Sequence, residues 1–349
     1  MQQDIAQTLH TCFRYVLHTA FTLFIVLSSL WFCSALWIQA PLGRITSSLI
    51  MVIWLCFSLC VLGIYFRQHL ISRSLDLLLY SMMFALSLVW YFSLDARNDR
   101  DWNPEVARML ESTQHGNIIQ LQHVRNFDWH SDGSYTEHWE NRTLRLDDIQ
   151  GVNIVTSYWM GPQIAHTLVS FDIKQQRPLT FSIEIRKEKN EEFSAFGGFF
   201  RQYELSLIAA DEKDIIYTRS NIRGEQVYFF PVTMSQDMAQ QLFLEYLSKA
   251  KDLKQHPKWY NTLTSNCTTL VFDMVQAVSQ KQLPVDYRLI ASGYLPNYLN
   301  DLHVLPYDWP MSTWYQRAHV NPKTQHYTQL SSEQYSKLLR KNLQSEALK

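Results

Sequence analysis

The apolar and polar positions of this chain follow two regimes that meet near Leu94. Before it lie three long apolar runs, Tyr15 to Ile38, Ile45 to Phe66 and Leu75 to Leu94. Each reaches the ~20 residues that a helix needs to cross the hydrocarbon core of a bilayer, so three transmembrane helices are predicted. A cleaved leader fits less well. "CSALWIQA" offers small residues near the end of the first run, but that run exceeds the ~7–15 residues of a leader's apolar region and two more runs follow it. A soluble all-helical core is the remaining alternative, and the run lengths weigh against it.

After Leu94 the periods shorten. "IAHTLVSFDI" is a β-rich run and "KQQRP" is turn-like. In "LTFSIEIRKE", Leu179, Phe181, Ile183 and Ile185 alternate with Thr180, Ser182, Glu184 and Arg186, which predicts a hairpin. Strands are expected as far as about Phe230. A helix then runs from Ser235 to about Lys251 on Met238, Leu242, Phe243, Tyr246 and Leu247. A second begins near Cys267, because Leu270, Val271, Met274, Val275 and Val278 recur at helical spacing behind Ser265 or Asn266 as N-cap. Beyond Pro322 the chain is polar and lysine-rich, and "SSEQYSKLLRKNLQ" reads as a short terminal helix that docks or hangs free. The expected organisation is a membrane domain at 1–94, a linker and domain start at 95–120, a main domain at 121–310 and a polar tail at 311–349.

Composition sharpens this reading. The net charge is −1, so there is no cationic footprint for nucleic acid. The mean hydropathy of −0.18 conceals the break at Leu94. Before it the only acids are Asp4 and Asp76, and lysine is absent. Trp31, Trp37, Trp54, Trp90 and Tyr91 lie near several run ends, as interfacial aromatics do. The second connection carries Arg67, His69 and Arg73 against Arg44 in the first, and Arg14 precedes the first span. By the positive-inside rule this sends everything after Leu94 out of the cytoplasm. The expected location is a bacterial inner membrane, multi-pass, with the large domain periplasmic. No Walker loop, dinucleotide glycine pattern, HExxH or paired CxxC is present, so neither a nucleotide, a metal nor another cofactor is expected.

Four of the 5 cysteines, Cys12, Cys33, Cys56 and Cys60, lie in or beside the apolar runs, which leaves Cys267 alone downstream. A lone thiol in an oxidising compartment is reactive, paired with another chain, or buried as a small hydrophobe. The first turn of a helix, with its unpaired N–H groups and positive dipole end, favours thiolate. A thiolate nucleophile calls for an imidazole. Of nine histidines after the spans, most sit in polar, turn-like surroundings, whereas His166 lies inside a β-rich run. A hairpin centred on Gln175 sets Glu184 opposite His166, where a carboxylate can hold the imidazole tautomer. The ordinary alternatives are a satisfied strand histidine and a surface ion pair of Glu184 with Arg186 or Lys187. "EEFSAFGGFFRQYEL" offers Phe199, Arg201 and Tyr203 as an acyl-accommodating loop, or simply a turn into a core strand. "RSNIRGEQVYFF" offers Arg219 and Arg223 for a phosphate or a carboxylate, with solvated strand-end charges as the preferred reading.

From "NDRDW" onward the sequence resembles the Lnb-type N-terminal periplasmic domain family. The resemblance rests on "NFDWHSDGSYTEHWE", "SYWMGPQIAHTLVSFDI", "FGGFFRQYEL", "YNTLTSNCTTLVFDMV" and "DYRLIASGYLPNYL", and runs from about Asp101 to Leu305. The family's histidine and its Asn-Cys-Thr motif fall on His166 and on Asn266, Cys267 and Thr268. The resemblance implies an α+β, papain-like and circularly permuted cysteine domain with an antiparallel sheet and a nucleophile-bearing helix. It also implies thiol acyl transfer, with Asn266 or Thr268 supporting the oxyanion. In the family's acyltransferase branch membrane helices follow the domain; here they precede it, so lipoprotein N-acylation does not carry over directly. Membrane lipids or lipoproteins are the expected substrates. A cell-envelope cysteine peptidase or amidase and a noncatalytic scaffold remain as alternatives.

Overall fold

The computed structural model describes residues 2–67, 72–279, 281–325 and 330–343; His69 and His326 lie outside the described residues. The chain forms two compact units, one of residues up to Ala96 together with Ser194–Gln202, the other of Arg97–Phe193 and Tyr203 onward.

The first unit is built from α1 (Gln2–Gln39), α2 (Arg44–Arg67) and α3 (Arg73–Phe92). All three contain stretches long and apolar enough to cross a membrane. Their leucines and valines are largely exposed, whereas the buried seam collects aromatic rings and hydroxyls. Tyr80 Oη lies 2.8 Å from Ser28 Oγ and 3.0 Å from Ser29 Oγ, and Trp54 Nε1 donates to Ser29 at 3.0 Å. Small polar side chains that bond across helices are what holds spans together where lipid removes the hydrophobic drive. Ser194–Gln202 adds to this unit: Gln39 Nε2 donates to the carbonyls of Phe200 and Arg201, and Arg201 donates to those of Tyr91 and Leu94.

The second unit is α+β. Its strands are β1 (Glu111–His115), β2 (Ile118–Arg125), β3 (Asp128–Trp129), β4 (Tyr135–Thr136), β5 (Trp139–Arg145), β6 (Ile149–Tyr158), β7 (Ala165–Ile173), β8 (Leu179–Arg186), β9 (Glu204–Ala210) and β10 (Gln226–Val232). The large sheet has the order β1-β2-β9-β8-β7-β6-β10, with β5 on β2, and β3 pairs with β4 separately. Its ladders are antiparallel except for one parallel bridge between β2 and β9. The hairpin β7–β8 turns through Gln175 in the left-handed region, φ 56°. Its ladder runs from Phe171↔Leu179 to Leu168↔Ser182 and stops there.

Both faces of this sheet are covered. On one, Val169, Phe171, Phe181 and Leu207 pack with Phe243 and Tyr246 of α5 (Gln236–Gln255) and Val271 of α6 (Cys267–Val278). On the other, Leu168, Ile208 and Phe230 pack with residues from α4 (Glu212–Tyr217), from α8 (Met311–Ala318) and from α10 (Ser332–Arg340). The short α7 (Leu295–Asp301) and α9 (Asn321–Thr324) complete the element order. Trp314, Tyr335 and Leu339 are fully buried. At roughly 2 kcal/mol for each such side chain, the segment read as a polar tail is part of the domain core. Its average composition is polar because its helices are amphipathic. The same covering explains why Thr180 and Ser182, on the polar side of the alternation in β8, are buried.

Candidate functional site

Helix α6 starts at Cys267 because Asn266 caps it. Asn266 Oδ1 accepts from Thr268 N at 2.9 Å and Thr269 N at 3.0 Å, and the Thr269 hydroxyl accepts from Asn266 N at 3.0 Å. Asn266 Nδ2 donates to the Thr262 carbonyl. The cap leaves the thiol at the first helical position, buried, beside strand β7. Thr268 Oγ1 lies 3.0 Å from Thr167 Oγ1 and 3.9 Å from Cys267 Sγ, and the Thr167 backbone N–H donates to the sulfur.

The opening of the β7–β8 ladder makes room for this approach. Past Leu168 and Ser182, β7 stays paired to β6 through Ser157↔His166, while β8 stays paired to β9 through Glu184↔Ser206. Across the opening, His166 Nε2 donates to Ser182 Oγ at 2.7 Å, and Ser182 Oγ donates to Glu184 Oε1 at 2.6 Å. Nε2 is itself 3.3 Å from Glu184 Oε1. With Nε2 so engaged, Nδ1 is the ring nitrogen left for the thiol. The start of β7 is fixed by a close approach: Gly293 N donates to the Gln163 carbonyl at 2.9 Å, and a Cβ on Gly293 would lie 2.1 Å from the Pro162 carbonyl oxygen.

Burial and the Arg219 guanidinium oppose a charge on His166, but Glu184 and the Cys267 thiolate outweigh them and raise its pKa to about 9. Burial would push the Cys267 thiol up; the imidazolium, together with hydrogen bonds from His166, Thr167 and Thr268, brings it below the ordinary thiol value. Glu184 is likewise buried, yet the charges of His166 and Arg219 hold it well below the usual carboxylate range. The arrangement therefore favours the thiolate of Cys267 and the imidazolium of His166 together.

Of the residues singled out from sequence, the structure brings Cys267, His166, Glu184 and Thr268 together, with Asn266 as the cap. Phe199 and Arg201 belong to the unit of the apolar helices. Tyr203 is fully buried, its hydroxyl donating to the Glu192 carbonyl. Glu184 is not a surface partner of Arg186 or Lys187: Arg186 bonds to Asn98 Oδ1 and the Val106 and Ala107 carbonyls and lies over the Trp102 ring. Arg219, read as solvated, is buried against Glu184. Ser182 was missed. Its signal was present in the alternation that puts it on the same side of β8 as Glu184 and next to the turn-proximal partner of His166.

Residues 135–293 match the family described as the Lnb N-terminal periplasmic domain. That segment belongs to the Lnb N-terminal periplasmic domain family. The match takes in His166, Glu184 and Cys267 and is narrower than the stretch over which the motifs resemble the family. The chain thus combines three helices long and apolar enough to cross a membrane with a segment that matches an Lnb N-terminal periplasmic domain. No curated protein and no solved structure matches the chain.

Proposed function

We propose that the Lnb-type domain is a thiol-dependent acyltransferase or acyl hydrolase, held at the bacterial inner membrane by three spans and acting on lipid, lipoprotein or other cell-envelope acyl groups. The observation that carries this is the thiol at a capped helix start beside an imidazole whose far nitrogen is tied to Ser182 and Glu184. Cys267 Sγ attacks an acyl carbonyl, its electron pair forming the S–C bond while the carbonyl π pair moves to oxygen. The oxygen's charge is met by donors that already face the sulfur, the Thr167 N–H and the Thr268 hydroxyl. Collapse expels the leaving alcohol or amine, which takes a proton from the His166 imidazolium. The neutral imidazole then removes a proton from an incoming amine or water, and the thioester resolves to an amide or to a free acid. A papain-like, permuted arrangement suits this chemistry because geometry, not chain order, defines the dyad.

The test is direct. Full-length protein in detergent is incubated with a fluorescent phospholipid and with a diacylated lipopeptide, with and without an amine acceptor, and Cys267 is inspected by mass spectrometry. A hydroxylamine-sensitive acyl adduct on Cys267, absent in Cys267→Ser, is the expected result. If neither substrate acylates Cys267 and peptide-bond substrates instead give Cys267-dependent cleavage, the domain is an envelope peptidase. If Cys267 is inert to alkylation until the protein melts, it is a scaffold residue.

A further inference from the structure

The geometry points to Arg219 as the positioning residue of this site: by bridging Glu184 and Glu225 it holds the Glu184 carboxylate on the Nε2 side of His166. The assignment rests on the reading of Cys267 and His166 as a nucleophile and its base.

Arg219 lies in a π-helical turn, Thr218–Ile222, that follows α4. Such turns are rare and recur at functional sites. Its Nη2 donates to Glu184 Oε1 at 2.7 Å and its Nη1 to Glu225 Oε2 at 3.2 Å. Glu225 also accepts from the Ser157 hydroxyl, and Ser157 is the cross-strand partner of His166 on β6. The guanidinium is thus tied to both strands that flank the start of β7. The turn itself is pinned: Glu225 N donates to the Arg219 carbonyl at 2.9 Å, and Asn321 Nδ2 donates to the carbonyls of Ser220 and Glu225.

This anchoring matters because of where Glu184 sits. The β7–β8 ladder has ended, so no backbone pairing fixes residue 184 against residue 166. Side chains must do it, and a planar fork that spans two carboxylates is the side chain suited to the task. Arg219 Nε is buried with no hydrogen-bond partner. A buried guanidinium with an unmet N–H is costly unless its charge is answered, and here two carboxylates answer it.

Positioning and charge act on His166 in opposite directions, which makes them separable. As a bare charge, Arg219 disfavours the imidazolium; as an anchor, it secures the carboxylate that favours it. The charged and titratable groups around His166 and Glu184 are Arg219 and Glu225 from the turn and its end, Cys267 of α6, Tyr260 before α6, Tyr246 of α5 and Arg125 of β2. Among the described residues only Arg219 is hydrogen-bonded to Glu184 through a guanidinium.

The experiment follows iodoacetamide alkylation of Cys267 against pH, read on its own peptide by mass spectrometry. It uses full-length wild type, Arg219→Met, Arg219→Lys and Glu225→Gln, with a melting curve for each. For Arg219→Met the expected result is alkylation about tenfold slower at pH 7 and an alkaline step that moves down from about 9. Lysine, which keeps the charge without the fork, restores part of the rate. An alkaline step that moves up with the rate at pH 7 unchanged shows that Arg219 is only a nearby charge and overturns the assignment. Should Arg219→Met fail to fold, Glu225→Gln decides: a shift in the same direction of about two- to threefold supports the anchor, and an unmoved profile overturns it. A wild type in which Cys267 labels only on melting defeats the nucleophile reading itself, and the assignment with it.

Discussion

Two arginine clamps grip the same sheet near opposite ends of strand β7, and only one of the two lies beside a histidine and a thiol. Arg219 spans Glu184 and Glu225 near His166. Arg340 of α10 spans Asp172 of β7, at 3.0 Å from Nε, and Glu212 of α4, at 2.8 Å from Nη2, and its guanidinium lies over the Phe229 ring. Each clamp even has a serine hydroxyl donating to one of its carboxylates, Ser182 to Glu184 and Ser170 to Glu212. At the Arg340 end the result is mechanical: the C-terminal helix is fastened to the sheet. At the Arg219 end the clamped carboxylate faces an imidazole, and the imidazole faces a thiol. A buried ion pair by itself therefore says little about function. What distinguishes the site is a titratable pair within reach of the clamp.

The largest expected effect comes from removing the imidazole. His166→Gln should lower acyl-transfer turnover by about 10²- to 10⁴-fold, the range of a general acid–base contribution. It should also erase the alkaline step in Cys267 alkylation. In the wild type the imidazolium remains charged below about 9 and supports the thiolate; as pH rises through that value the proton leaves and the pair becomes thiolate beside neutral imidazole. Glutamine has no such proton to lose. A step near pH 9 that persists in His166→Gln would assign it to another group and break the contrast between the two clamps.

Next in size is the stability lost at the other end. Arg340→Met strands Glu212, which is wholly buried, while Asp172 can still reach solvent. Breaking a fully buried pair costs about 3–5 kcal/mol; because Arg340 is itself about a quarter exposed, roughly 2–3 kcal/mol is expected. Urea unfolding of the full chain measures it, and the alkylation profile of Cys267 in the folded variant should match the wild type. A shifted profile would mean that the two ends of β7 communicate and are not independent devices.

The sequence made one end of this comparison readable and left the other dark. Register was accessible: the apolar alternation of β8 and a turn centred on Gln175 sufficed to set Glu184 against His166, since a one-residue slip would have turned it to the opposite face. The helix start was accessible too, because an asparagine followed by a periodic apolar run has a physical cause. Arg219 and Arg340 were not. Both are charges in polar stretches, and their burial depends on which segments cover the second face of the sheet, a long-range fact with no local signature. Ser182 looked like one polar position among several until the cover was known. The aromatic loop with Phe199 and Arg201 shows a further limit: a local cluster of apolar side chains does not reveal that its segment belongs to the compact unit of the apolar helices.

The smallest effect is the sharpest test of what separates the clamps. Ser182 and Ser170 are both buried on neighbouring strands and each donates to a clamped carboxylate; Ser170→Ala loses that one hydrogen bond and should destabilise the domain by about 1 kcal/mol, while Ser182→Ala also loses the bond from His166 and should cost about 1–2 kcal/mol. Their chemical consequences should differ. Ser170 has no tie to the thiol, and its loss should leave Cys267 alkylation unchanged at every pH. Ser182 stands between Nε2 of His166 and Oε1 of Glu184, so its loss removes the bridge while leaving the direct approach of 3.3 Å. The ring then keeps its carboxylate but loses part of what fixes its orientation, and alkylation at neutral pH should slow by a few-fold, on the order of what one hydrogen bond is worth. Cooperative melting of both variants, with an alkylation profile shifted only in Ser182→Ala, would show that the hydroxyl acts through His166. If both profiles stay at wild type, the hydroxyl is packing, and Glu184 acts on the imidazole directly.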